Sequence, residues 1–194
     1  MPDPLVLGFD TSAAHCAAAL LSGDRLIAAC HEDMTKGQAE RLMPLIAQML
    51  AGAGHGWRDL DVIGVGVGPG NFTGIRISVA AARGLALSLG IPAIGVTGPE
   101  ALALGVARPC RILVPGRRDT AIWQDFPGDD GPRQGDITAL PPGPPVASPV
   151  MSIAEGIARI ALSRSASPQP RPAPLYLRPA DAAPARDRGP VILP

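Results

Sequence analysis

Residues 64–98, GVGVGPGNFTGIRISVAAARGLALSLGIPAIGVTG, run without interruption through a buried strand, a glycine-rich turn, a helix and a second buried strand. Val62 to Val67 is a short apolar, β-branched run. Gly68-Pro69-Gly70-Asn71 ends it with residues suited to tight turns. From Thr73 to Leu89 the apolar residues Ile75, Val79, Ala82, Leu85 and Leu89 recur at three- and four-residue spacing, with Arg76, Arg83 and Ser88 elsewhere on the cylinder. Gly90 stops this helix, and Ile91-Pro92 leads into a second strand over Ala93 to Val96. Strand, helix and strand at this length make a βαβ unit with parallel strands and a right-handed crossover. Ala80, Ala81, Ala82, Gly84 and Ala86 leave the helix little side chain, so a sheet or a second helix can approach its backbone closely. Ordinary packing on the protein's own sheet is the simpler reading of that feature.

Composition narrows the class. The chain has 194 residues, 46% of them hydrophobic and only 3% aromatic, so its core is built from Ala, Val, Leu and Ile, as suits a tightly packed α/β layer structure. Lys plus Arg and Asp plus Glu both number 17, and no basic groove for nucleic acid shows at whole-chain level. Cys16, Cys30 and Cys110 are odd in number and form no CxxC, which points to single buried thiols in a reducing cytosol. The expectation is a cytoplasmic protein with neither signal peptide nor membrane helix.

Ahead of the βαβ unit, Leu5 to Phe9 reads as a strand ending in Asp10-Thr11-Ser12. Cys16 to Leu21 and Arg25 to Cys30 form a hairpin about Ser22-Gly23-Asp24, so three strands open the fold as a meander. A carboxylate and hydroxyls at a strand end are where actin-like and RNase-H-like proteins meet a nucleotide phosphate or its metal. A turn whose side chains bond local amides explains the same residues. Gln38 to Ala53 is helical by period, with Leu42, Leu45, Ile46, Met49 and Leu50 on one stripe. Pro44 inside it predicts a kink or a late start. The loop Gly68 to Gly74 lacks the Lys and Ser/Thr of a P-loop and does not match the dinucleotide fingerprint, so a tight turn is the favoured reading.

The stretch GVGVGPGNFTGIRISVAAARGLALSLGIPAIGV resembles the signature of the bacterial TsaB (YeaZ) family. Phe9-Asp10-Thr11-Ser12, the segment from Gln38 to Ile46 and Tyr176-Leu177-Arg178-Pro179 add further matches, strongest from Leu5 to about Ala107. The resemblance implies an α/β fold of the actin-like, RNase-H-like (ASKHA) class, a mixed sheet flanked by helices with a shortened second subdomain. It also implies a role in making N6-threonylcarbamoyladenosine in tRNA, next to the anticodon. Members of that family are noncatalytic and pair with TsaD, the transferase, through their first two helices. A TsaE ATPase joins the assembly, and tRNA is met only through the complex; a second copy of the same chain is the alternative partner. Carried to this sequence, the partner interface falls on Gln38, Arg41, Leu42, Leu45 and Ile46 of one helix and Ile75, Arg76, Val79, Ala82 and Arg83 of the other. No catalytic, cofactor-binding or metal-binding residue is implied.

The residues themselves agree on chemistry. His15, His31 and His55 stand apart in sequence without metal-ligand spacing, and neither GxSxG nor a Cys or Ser paired with His is present. The rival readings are an ATP-binding enzyme using Asp10, Thr11 and the Gly68 to Gly74 loop, and a zinc-dependent glycopeptidase. The expected organisation is an N-terminal subdomain over 1–107, a reduced C-terminal subdomain over 108–165 and a proline-rich tail over 166–194. In the second part Arg111 to Val114 and Ala121 to Phe126 read as paired strands and Ile153 to Leu162 as a helix. Gly116 stands where the family has an aspartate. Fifteen of the 23 prolines follow Phe126, which predicts irregular coil with too little apolar area to order itself.

Overall fold

A computed structural model describes residues 3–116, 119–128 and 130–177. Arg178-Pro179 of the expected C-terminal match, and the tail from 178 onward, lie outside the described residues.

Five strands form one mixed sheet in the order β3-β2-β1-β4-β5, where β1 is Leu5–Asp10, β2 His15–Ser22, β3 Arg25–Asp33, β4 Val62–Gly66 and β5 Ala93–Val96. The first three strands are antiparallel; β4 pairs parallel to β1, and β5 parallel to β4. The two-residue turn Gly23-Asp24 sets the β2–β3 register, with Gly23 at φ 54°. This is the α/β topology of the actin-like, RNase-H-like class, as the sequence leads one to expect.

Alternation along β1 divides the core into two halves. Leu5, Leu7 and Phe9 face helices α1 (Gln38–Gly52) and α2 (Phe72–Leu89), joining Leu42, Ile46, Leu50, Ile75, Val79 and Ala82 in one cluster. Val6, with Val62 and Ile94, faces α3 (Gly98–Ala103) and α4 (Ile153–Arg164) on the other side. The result is helix, sheet and helix in three layers. Glycines set how close α4 comes: a Cβ on Gly8 would lie 2.7 Å from the Ala158 Cβ, and one on Gly64 would lie 2.8 Å from that of Ala161. The glycines of the GVGVG run therefore serve helix packing as much as the following turn.

Capping explains where the helices begin and end. Asn71 accepts from Thr73 N and Gly74 N at the start of α2, and Gly90 closes it at φ 70°. Thr97 and Ser152 cap α3 and α4 in the same way. Helix α1 runs through Pro44 and starts at Gln38, so the expected late start is corrected. By length and composition α2 also matches a membrane span, with a mean hydropathy of 1.2 over 18 residues, a match the sequence reading did not expect. Here it packs on the sheet, burying Ile75, Val79 and Ala82.

Residues 108–165 divide between two places. Strands β6 (Cys110–Pro115), β7 (Thr120–Phe126) and β8 (Arg133–Asp136) form a separate antiparallel sheet, whereas α4 covers the first one. The proline-rich stretch between Leu140 and Val150 is irregular, as expected, but it is tied down. The Arg111 amide donates to Pro145 O at 2.8 Å, Ala147 N donates back to Arg111 O at 2.9 Å, and the Arg111 guanidinium reaches Pro141 O at 2.8 Å. Polar bonds to one arginine, rather than apolar burial, order this strap, and that corrects the expectation.

Candidate functional site

The end of β1 and the loop entering α2 meet without a gap. Asp10, fully buried, accepts on Oδ2 from Ser12 N and Ser12 Oγ, both at 2.9 Å, and His15 Nε2 lies 2.8 Å from the same oxygen. Thr11 Oγ1 donates to Gly74 O at 2.7 Å, and Asn71 N donates to Ser12 O at 2.6 Å. Ser78 Oγ closes the seam by donating to Gly66 O at 3.1 Å. A Cβ on Gly74 would overlap the Thr11 carbonyl oxygen, and one on Gly66 would overlap Asp10 Oδ1, so both glycines are required by close approach.

This geometry tests the nucleotide reading. A phosphate at the start of α2 needs free amides, yet Thr73 N and Gly74 N are already bonded to the Asn71 side chain. A divalent ion needs outward-facing oxygens. Here Asp10 Oδ2 is filled by three neighbours, and Oδ1, which has no hydrogen-bond partner, faces the Gly66 backbone. Two amides at the start of α2 and one carboxylate oxygen are thus already engaged within the chain.

The histidines are not all isolated, contrary to their separation in sequence. The antiparallel register of β2 and β3 brings the rings of His15 and His31 to 4.9 Å between centroids, and His31 Nε2 lies 3.1 Å from Asp33 Oδ1. His55 remains apart, 3.9 Å from Asp59. Even so, no group of three or more His, Cys, Asp or Glu side chains suited to a metal ion occurs among the described residues. Burial pushes the Cys16 thiol up to about 11 and also raises that of Cys30. Neither is poised as a thiolate nucleophile.

The ten expected interface residues separate into two sets. Leu42, Leu45, Ile46, Ile75, Val79 and Ala82 are buried against the protein's own sheet, which corrects their assignment to a partner surface: an apolar stripe at this spacing covers its own core first. Arg41 is half-buried and held by Glu32, with Nε to Oε2 at 2.7 Å, while Gln38 donates to Met34 O at 3.2 Å. Arg76 and Arg83 are exposed. The outward side of the two helices carries instead Met43, 36% exposed, with Pro44, Ala80 and Gly84, and a Cβ on Gly84 would meet nothing within 4 Å.

One cluster escaped sequence reading. Arg76 lies 3.7 Å over the Phe72 ring and donates to Tyr176 Oη at 2.9 Å, and the Phe72 and Tyr176 rings are 4.9 Å apart. With Leu175 N donating to Val67 O at 2.8 Å, it fastens the 172–177 segment to the start of α2. Phe72 and Tyr176 both fell inside quoted motifs, but their 104-residue separation hid the contact.

Comparison with known proteins agrees with this architecture. Residues 32–129, half of the chain, match the family model described as "TsaD: tRNA N6-adenosine threonylcarbamoyltransferase". The chain is 31% identical over 130 residues to the "tRNA threonylcarbamoyladenosine biosynthesis protein TsaB" of Escherichia coli, covering 64% of this chain and 56% of that one. It is 33% identical over 168 residues to the "Uncharacterized protein Rv3421c" of Mycobacterium tuberculosis, covering 77% and 79%. The fold matches "YeaZ from Pseudomonas aeruginosa" with a TM-score of 0.73 at 23% identity, over 90% of this chain and 100% of that one. A structure from the same organism, of "an uncharacterized protein with similarity to peptidase YEAZ", gives 0.75 at 22% over the same shares. The chain spans about half the length of the TsaB relatives it matches, 56% of the Escherichia coli protein and 47% of the Buchnera aphidicola one. The family model, the named TsaB relatives and the shared three-layer fold agree: this chain belongs to the TsaB (YeaZ) family.

Proposed function

We propose that the chain is an accessory subunit in the synthesis of N6-threonylcarbamoyladenosine in tRNA, in the cytoplasm, and that it pairs with TsaD without doing chemistry of its own. Family membership supports the process. The observation that carries the noncatalytic part is the engagement of the Asp10 site within the chain, where Ser12 and His15 hold Oδ2 and Asn71 holds the amides of Thr73 and Gly74. Pairing is supported by the outward side of α1 and α2, two helices in mutual contact whose exposed Met43, Ala80 and Gly84 leave room for another helix to come close. TsaE and tRNA then meet this chain as parts of the assembled complex.

Ala80→Asp and Gly84→Asp test the pairing, because both positions are exposed and neither change disturbs the core. Each variant is expected to keep its thermal midpoint and to lose copurification with TsaD, since an unpaired charge at a packed interface is costly. Undiminished copurification of both would place the contact elsewhere.

A further inference from the structure

A groove of about 690 Å³ runs between the C-terminal half of α2 and the segment 165–172, over the start of β5, the edge strand of the main sheet. Ile91 and Pro92 line its base, and Leu87, 87% exposed, stands on its wall. Its cations are Arg83 and Arg171, joined by the Gln169 amide, and no carboxylate lines it. Elsewhere Arg41, Arg111, Arg133, Arg159 and Arg164 each hold a carboxylate. Among the described residues, Arg83 and Arg171 have neither an ion pair nor a side-chain hydrogen bond. What singles out this pair is that both guanidinium groups share one groove with Leu87, the most exposed large apolar side chain among the described residues.

We propose that this groove docks an extended acidic segment of a partner protein, with an apolar side chain against Leu87 and Ile91 and a carboxylate on each arginine. Guanidinium groups bind carboxylates through paired N–H donors, and an apolar floor supplies area that a bare anion does not use. Polyphosphate and nucleic acid fit less well, because α2 ends beside the groove at Leu89 and its C-terminal carbonyls repel dense negative charge. Gly84 of the pairing face also lines the groove, so the two surfaces adjoin on α2, but the peptide titration needs no TsaD and reads the groove alone.

The test uses the full chain and the probe peptide acetyl-Leu-Glu-Pro-Leu-Glu-amide, followed by calorimetry and by the shifts of the Leu87 methyl signals. Saturable binding is expected, weakened about 5-fold or more by Arg83→Gln, by Arg171→Gln and by added salt. The same peptide with Lys in place of Glu is expected not to bind. All three substituted or flanking positions are exposed, so folding is not at stake. Equal binding of the Lys peptide, displacement of the acidic peptide by equimolar ATP, or no binding at millimolar concentration would each overturn the proposal.

Discussion

His15 Nε2 stands 2.8 Å from Oδ2 of the fully buried Asp10, in the position a cation would take beside a strand-end carboxylate. The imidazole belongs to the first residue of β2, so the hairpin itself supplies one of the three partners of Oδ2, while Oδ1 has none among the described residues.

His15→Ala should therefore destabilise the fold by roughly 1–3 kcal/mol, the cost of removing a partner from a buried acceptor. Adding Asp10→Asn in that background should recover part of the loss. Urea denaturation of the single and double variants checks both statements.

Two glycines of α2 should respond in opposite directions. Gly74→Ala forces a Cβ into the Thr11 carbonyl and should cost about 1–3 kcal/mol or more. Gly84→Ala adds a methyl to open space on a helix and should stabilise by roughly 0.5–1 kcal/mol. Thermal unfolding of the pair separates close approach from helix propensity.

Asp125 faces Arg111 across β6 and β7 at 2.6 Å, and that hydrogen-bonded guanidinium holds its carboxyl below the usual carboxylate range. A depressed folded-state value means the stabilisation is complete above the ordinary Asp value of about 3.9 and is lost as pH falls through the folded one. Wild type should thus exceed Asp125→Asn in stability by a constant margin near neutrality, with the margin shrinking below about pH 4. Chemical denaturation at a series of pH values measures it.

Cys16, with its thiol pushed up to about 11 by burial, should resist alkylation in the folded state at pH 8. Mass spectrometry after iodoacetamide treatment should find it modified only once denaturant is added.

Much of the first half was legible because its signals are local. The turn residues around Gly68 to Gly74, the helical period from Ile75 to Leu89 and the stop at Gly90 each act within a few positions, and β4, α2 and β5 fall where they predict. Helix α3 was missed although Thr97, Pro99 and Glu100 spell a capped start; at six residues it is too short to show a period. The small sheet's third strand, β8, with sequence RQGD, has no apolar alternation to announce it. The strap over 141–147 depends on Arg111, some thirty residues away, and no local pattern encodes that bond. At the candidate site the residue types at Asp10, Thr11 and Ser12 were visible, but His15 as the carboxylate's partner appears only once the hairpin is folded. Likewise the apolar stripes of α1 and α2 were plain in sequence; which side faced the sheet decided that six of ten expected contact residues are core.

The most direct test of the accessory role is the N6-threonylcarbamoyladenosine content of tRNA in bacteria depleted of their own TsaB and supplied with this chain. Restoration of the modified nucleoside by the wild-type chain, and by an Asp10→Asn variant that stays folded, but not by Ala80→Asp with Gly84→Asp, is the expected result. Restoration by the doubly charged variant together with failure of Asp10→Asn would contradict the account, because the chain would then act through its carboxylate and not through its helices.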